Sequence, residues 1–215
     1  KLYKNKKIIL WIIKHFNFGS KSVVHGLLSE AYIRVDILML GLFLSDSKVG
    51  IYSFAAFFVE GIYQIPVVLR NINNPILVKL INKKNFKNLY TFIKKISIIS
   101  LTLTFIAAFI TVNIYPYLGY FFQNDTIDLS YPILKILLCG MIIYSIIVPF
   151  DYILLMANMP SYQSLYMFII IMINIALNYI LIPIYGLVGA AIATFLSFIS
   201  SIIILILFSF YKIKK

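Results

Sequence analysis

Six long apolar runs, at 23–44, 49–73, 91–113, 131–157, 161–182 and 186–211, constrain this chain more than any motif does. About 20 residues at ~1.5 Å each cross the ~30 Å hydrocarbon core of a bilayer, so every run is long enough to span with some tilt. Composition agrees. The chain is 62% hydrophobic and 12% charged, with a mean hydropathy of +0.97, whereas a water-soluble domain carries about 25% charged residues. The expected fold class is therefore all-α: a polytopic membrane protein with six transmembrane helices forming one bundle.

The net charge of +12 is distributed as a topology signal. Of 19 basic residues, 15 fall in three clusters between, beyond or at the edge of the apolar runs: Lys1, Lys4, Lys6, Lys7, Lys14 and Lys21; Lys79, Lys83, Lys84, Lys87, Lys94 and Lys95; and Lys212, Lys214 and Lys215. Lysines at span ends read as positive-inside markers, not as a nucleic-acid patch. Both ends and the 82–90 loop are thus expected in the cytoplasm of a cell-membrane protein. The turns at 45–48, at 123–130 with Asp125 and Asp128, and at 183–186 are expected outside. The expected domains are a cytoplasmic linker at 1–22, with an interfacial helix at Ile8–Ile13 around Trp11; the six-helix bundle at 23–211; and a basic cytoplasmic tail at 212–215. The chain opens on Lys1 without an initiator Met or signal-peptide pattern, which reads as an internal cut in a longer protein. Cys139 lies in an apolar run and has no internal partner for a disulfide.

Charges inside the runs are the candidate site. An ionisable residue at membrane depth costs roughly 2.5–3.5 kcal/mol on insertion scales, so such residues usually face a protein interior or a water-filled cavity with a partner. The first run carries Glu30, Arg34 and Asp36, and the second carries Glu60, Gln64 and Arg70. Counting along antiparallel helices puts Arg34 and Glu60 at similar depth, each about 16 Å in. Glu30 and Arg34 are i,i+4 neighbours on one helix face. The expectation is a buried cluster of Glu30, Arg34, Asp36 and Glu60, with Gln64 one turn inward of Glu60. A structural ion-pair network joining the first two helices is the competing reading. Arg70 lies toward the cytoplasm near Asn71, Asn73 and Asn74, where it could snorkel. Asp151, Lys135 and His25 read as residues near span ends. Pro66 and Pro149 fall inside spans and should kink them, while Pro132 and Pro160 sit near helix starts. Asn174 and Asn178 read as interhelical hydrogen-bonding groups. Gly189, Ala193 and Ser197 form a small-residue face for close packing.

Two segments resemble a known family. Asn174–Ser197 carries Leu181–Pro183, Tyr185–Gly186, the run Gly189–Ala191 and Ala193–Thr194. Val35–Ala55 carries Asp36, Leu40–Gly41 and the run Val49–Ala55. Both are similar to hairpins of polysaccharide-export and O-antigen flippases, in the multidrug/oligosaccharidyl-lipid/polysaccharide exporter superfamily. One departure is Gly19, followed here by Ser20 and Lys21 where the family often has Gly-x-Pro. The resemblance implies the C-terminal bundle of a two-bundle transporter, partnered by an N-terminal six-helix half of the same polypeptide. It further implies a lipid-linked oligosaccharide (a polyprenyl diphosphate glycan) as substrate, moved through the bilayer by alternating access without ATP hydrolysis. On that reading Arg34, with Arg70 at the inner mouth, shields the diphosphate. Glu30, Asp36 or Glu60 carries a coupling ion or holds the arginine until substrate arrives.

Other classes stay open. A drug or cation antiporter of the same superfamily shares the fold. A membrane-embedded glycan polymerase or acyltransferase needs a catalytic group on a sizeable outer loop, and the outer turns here are short. The sequence has no metal-ligand spacing, phosphate-binding glycine loop or nucleophile elbow, so neither catalytic residues nor cofactors are expected. A half-protein without transport activity is the remaining reading.

Overall fold

The computed structural model describes the backbone of residues 2–121 and 124–213, and the side chains among them except at 2–7, 14, 21, 124–125 and 210–213. The lysines of the first and third clusters, and Asp125, lie outside the described side chains. Long helices make up nearly everything: α1 (Leu2–Phe43), α2 (Asp46–Asn82), α3 (Phe86–Ile114), α4 (Asn124–Tyr144), the single turn α5 (Ile153–Met156) and α6 (Pro160–Ile213). Short 3-10 turns occupy Tyr115–Tyr120 and Val148–Phe150. There is no strand among the described residues. Four segments are long and apolar enough to cross a membrane: Asp46–Asn82, Phe86–Tyr120, Thr126–Tyr144 and Pro160–Ser209. α1 is not among them, because Glu30, Arg34 and Asp36 all fall in its apolar stretch. Ile8–Ile13 continues without a break into the rest of α1.

Proline position explains where the helices break. The apolar run expected to span continuously from 131 to 157 stops being α-helical at Tyr144. Pro149 has no N–H to offer the carbonyl of Ser145, so the helix loosens just before it. The freed carbonyls find donors on α3: Ser100 Oγ donates to Ser145 O at 2.7 Å, and Ser97 Oγ to Ile146 O at 2.8 Å. In a hydrocarbon setting such substitutes are obligatory. Pro66 and Pro75, by contrast, sit inside α2, which passes through both without interruption. Pro132 lies within α4, which begins at Asn124, well before the expected start.

The last two apolar runs form α6, folded back on itself at Gly186. There φ is 57° and ψ is −131°, a conformation open to glycine and strained for other residues. The two arms then run antiparallel and close, with Tyr166 OH hydrogen-bonded to Ser201 Oγ across them. A Cβ on Gly189 would stand 2.1 Å from Leu181 O, so only glycine allows this approach. Ala190, Ala191 and Ala193 are fully buried beside it.

The core gathers residues from α1, α2, α4 and α6, including Leu40, Tyr52, Ala55, Leu134, Leu138, Met141 and Ile182. Tyr144 of α4 stacks on Phe198 of α6 with ring centroids 4.6 Å apart. Gly140 lets Phe195 and Phe198 pack against the α4 backbone. A second, smaller cluster of Leu77, Leu89 and Phe150 pins the α2–α3 turn to the break after α4.

Candidate functional site

Asp36 is the best-connected charge inside the bundle. Its Oδ1 accepts from Asn178 Nδ2 at 2.9 Å, and its Oδ2 accepts from Tyr52 OH at 3.1 Å and from the Thr194 hydroxyl. Asn178 also donates to Asn174 Oδ1 at 2.9 Å. Tyr52, Asn174 and Asn178 are almost completely buried. Asn178 and Thr194 are equidistant from Gly186 along the chain, so the fold-back of α6 brings both arms onto one carboxylate of α1. Among the described residues no basic side chain pairs with Asp36. A carboxylate held only by neutral donors, beside the oxygens of Tyr52, Asn174 and Thr194, is chemically suited to take up a proton or a small hard cation. No group of three His, Cys, Asp or Glu side chains able to hold a metal occurs among the described residues.

Asp36 lies on the wall of a cavity of about 160 Å³ between α1, α2, α4 and α6. Its polar lining includes Asp36, Tyr52, Glu60, Gln64, Asn174 and Thr194, and Val59, Leu137, Met141 and Phe198 are among its apolar lining. Arg34 and Glu60 do meet across α1 and α2, as their depths predict, but loosely. Arg34 Nη1 stands 4.0 Å from Glu60 Oε1, and the two side chains are 61% and 40% exposed. Gln64, one turn on from Glu60, completes that edge.

The expected single cluster of Glu30, Arg34, Asp36 and Glu60 is therefore divided. Arg34 and Asp36 are two residues apart, which sends them to opposite sides of α1. Asp36 turns toward α6, while Arg34 turns toward the exposed edge of α2. Glu30 is exposed and forms no ion pair among the described residues.

Arg70 belongs to a different constellation. Its Nη1 donates to Asp151 Oδ2 at 2.8 Å, with the two side chains only 11% and 8% exposed. The guanidinium lies 4.1 Å over the ring of Tyr152, and His25 meets that ring edge-on at 4.8 Å. Gln163 Nε2 donates to Asp151 O at 2.8 Å. Snorkelling and an interfacial Asp151 were the expectation; the break after α4 instead swings Asp151 inward onto α2. Sequence reasoning missed Tyr52 and Thr194; it read Asn178 as an interhelical hydrogen-bonding group, which it is, without naming Asp36 as the partner. The available signal was the symmetric spacing of Asn178 and Thr194 about Gly186, which acquires meaning only once α6 folds there.

Comparisons with known proteins agree with this architecture. The model of the MatE family matches residues 22–180. A protein of Haloferax volcanii named "Probable low-salt glycan biosynthesis flippase Agl15" is 29% identical over 188 residues, covering 85% of this chain and 39% of that protein. A solved structure of a multidrug resistance MATE family transporter of the MOP superfamily, in an outward-facing conformation, superimposes with a TM-score of 0.66 at 18% identity. That match covers 89% of this chain and 42% of the other, and it shows a shared fold. The chain thus spans about two fifths of the length of the relatives it matches. The superfamily resemblance seen in the Asp36 and Gly186 segments holds across most of the sequence, and the chain belongs to the MatE family.

Proposed function

We propose that this chain is one six-crossing bundle of a flippase that carries a polyprenyl diphosphate-linked oligosaccharide across the cytoplasmic membrane by alternating access. In this reading α1, α2, α3, α4 with α5, and the two arms of α6 each make one pass, and both ends are cytoplasmic. An N-terminal bundle of the same polypeptide supplies the opposite wall of the pathway. The observation that carries the reading is a cavity whose largely apolar wall holds a carboxylate and tyrosine hydroxyls, with a loosely held cation beside its Glu60 edge. The flippase named among the relatives supports it.

The chemistry follows from the geometry. An exposed ion pair contributes about 0–1 kcal/mol, so Glu60 can release Arg34 at little cost. A guanidinium freed this way can bind a diphosphate through paired hydrogen bonds. Tyrosine hydroxyls and Gln64 offer hydrogen bonds to sugars, while the polyprenyl chain stays in lipid. The cavity of about 160 Å³ is smaller than the ~300–1,000 Å³ usual for ligand pockets, consistent with one wall of a larger site. Asp36 is the proposed coupling group: a cation there competes with the donors from Tyr52, Asn178 and Thr194, and so changes how α1 grips both arms of α6. Arg70, locked onto Asp151, is assigned to packing, and Glu30 stays outside the cavity.

The test is translocation of a polyprenyl diphosphate glycan by the full-length protein in proteoliposomes. Arg34→Ala and Glu60→Gln are each expected to slow it at least about ten-fold, equivalent to ~1.4 kcal/mol, while leaving the melting temperature in place. Unchanged translocation in both variants removes the cavity from the mechanism. Cation-driven efflux of an organic dye, with no glycan movement, would favour the antiporter reading, for which the oxygen-rich surroundings of Asp36 are the supporting observation.

A further inference from the structure

The turn between α2 and α3 concentrates positive charge that no carboxylate among the described residues answers. Between Glu60 and Asp125 the chain contains no acidic residue, yet it carries Lys79, Lys83, Lys84, Lys87, Lys94 and Lys95. All six are exposed, and none pairs with a carboxylate among the described residues. Two exposed aromatics stand among them, Phe86 at 41% and Tyr90 at 71%. Beneath this surface Leu77, Leu89 and Phe150 fix the turn to the body of the protein.

The backbone adds an independent observation. α2 ends in a Schellman arrangement, with Asn85 N donating to Leu80 O at 3.2 Å and Lys84 N to Ile81 O at 2.9 Å. The left-handed position of that arrangement normally holds glycine. Here it holds Lys84, at φ 51°. A lysine kept where glycine would relieve strain points to a use for its side chain. α3 has 29 residues, about 43 Å of helix against a ~30 Å hydrocarbon core, so its first turns can reach beyond the acyl chains. Lys87, Lys94 and Lys95 then lie at the depth of headgroups, with Tyr90 as an interfacial ring.

We propose that the α2–α3 turn is a docking surface for the anionic phospholipid headgroups of the leaflet it faces. Lys84 stands at its centre and Phe86 and Tyr90 insert beside it. A cluster of four to eight basic residues next to a membrane helix attracts anionic lipid with a strength that salt reduces. Each lysine removed is expected to weaken that attraction about five-fold at low salt.

The experiment measures lipid binding to the full chain in neutral detergent by native mass spectrometry. Phosphatidylglycerol is compared with phosphatidylcholine at low and high salt, and inorganic pyrophosphate is the soluble competitor. The expected result is selective retention of phosphatidylglycerol, weakened by salt, and weakened about five-fold each by Lys84→Gly and Lys87→Gln. Lys84→Gly is also expected to raise the melting temperature, since glycine suits the left-handed position; falling affinity with rising stability separates a binding role from a structural one. Equal retention of the two lipids, or unchanged phosphatidylglycerol binding in both variants, overturns the proposal. Displacement of the lipid by pyrophosphate with the same lysine dependence also overturns it, making the turn a general phosphate site.

Discussion

Two carboxylates show how burial and partners separate the charges in this bundle. Asp36 is held by three neutral donors from α2 and from both arms of α6, whereas Asp151 is held by a guanidinium. The substitutions that test them should behave differently. Asp36→Ala strands three buried donors and should cost about 1–3 kcal/mol in thermal unfolding. Asp36→Asn keeps an acceptor of the same shape, so it should fold nearly as well while losing cation-coupled transport. Arg70→Ala leaves Asp151 charged and uncompensated, and should cost about 3–5 kcal/mol. Arg34→Ala should cost less than about 1 kcal/mol, because its pair with Glu60 is open to solvent. If Arg34→Ala destabilises as much as Arg70→Ala, the assignment of one arginine to a rim and the other to the core is wrong.

At the scale of elements, the strongest control is exerted by residues that lack something. Pro149 lacks a hydrogen-bond donor and ends α4 early; Gly186 and Gly189 lack side chains and allow α6 to fold back on itself. Gly189→Ala should lower the melting temperature by several degrees, a loss of roughly 1–3 kcal/mol, since its Cβ would press on the Leu181 carbonyl. Gly61→Ala, with open space around it, should be neutral or slightly stabilising. Much at this scale could be read from the chain. The runs at 49–73 and 91–113 fall within α2 and α3, and the small-residue face is where the α6 arms meet. What could not be read is where a proline breaks a helix. Pro66 and Pro149 look alike in sequence, but Ser97 and Ser100 on another helix make the break at Pro149 affordable. That compensation lies some 45 residues away in the chain, beyond any local pattern.

For the molecule as a whole, the depth count brought Arg34 and Glu60 together correctly, and the superfamily was recoverable from two short segments. The composition of the site was not. Periodicity tells which residues share a helix face, but the partner facing that face is a tertiary matter, so Asp36 was grouped with its chain neighbours and not with Thr194. The arrangement makes a further prediction about exposure. In a Cys139→Ser background, a water-soluble maleimide should modify Gln64→Cys at the cavity edge. It should leave Phe109→Cys untouched, although Phe109 is 63% exposed, since α3 is long and apolar enough to cross a membrane and a ring on its outer face would then meet lipid. Equal labelling at both positions would mean that the cavity carries no more water than the outer surface.

The fold-back at Gly186 also bears on how the protein is made. From Tyr152 to Tyr211 the chain contains no charged residue, and its two apolar arms meet at a single glycine with no polar loop between them. Neither arm offers the translocation machinery a hydrophilic stretch to export or retain by itself. The pair is therefore expected to enter the bilayer together, oriented by the charges that flank it in the chain: Asp151 before it and the lysines at 212, 214 and 215 after it.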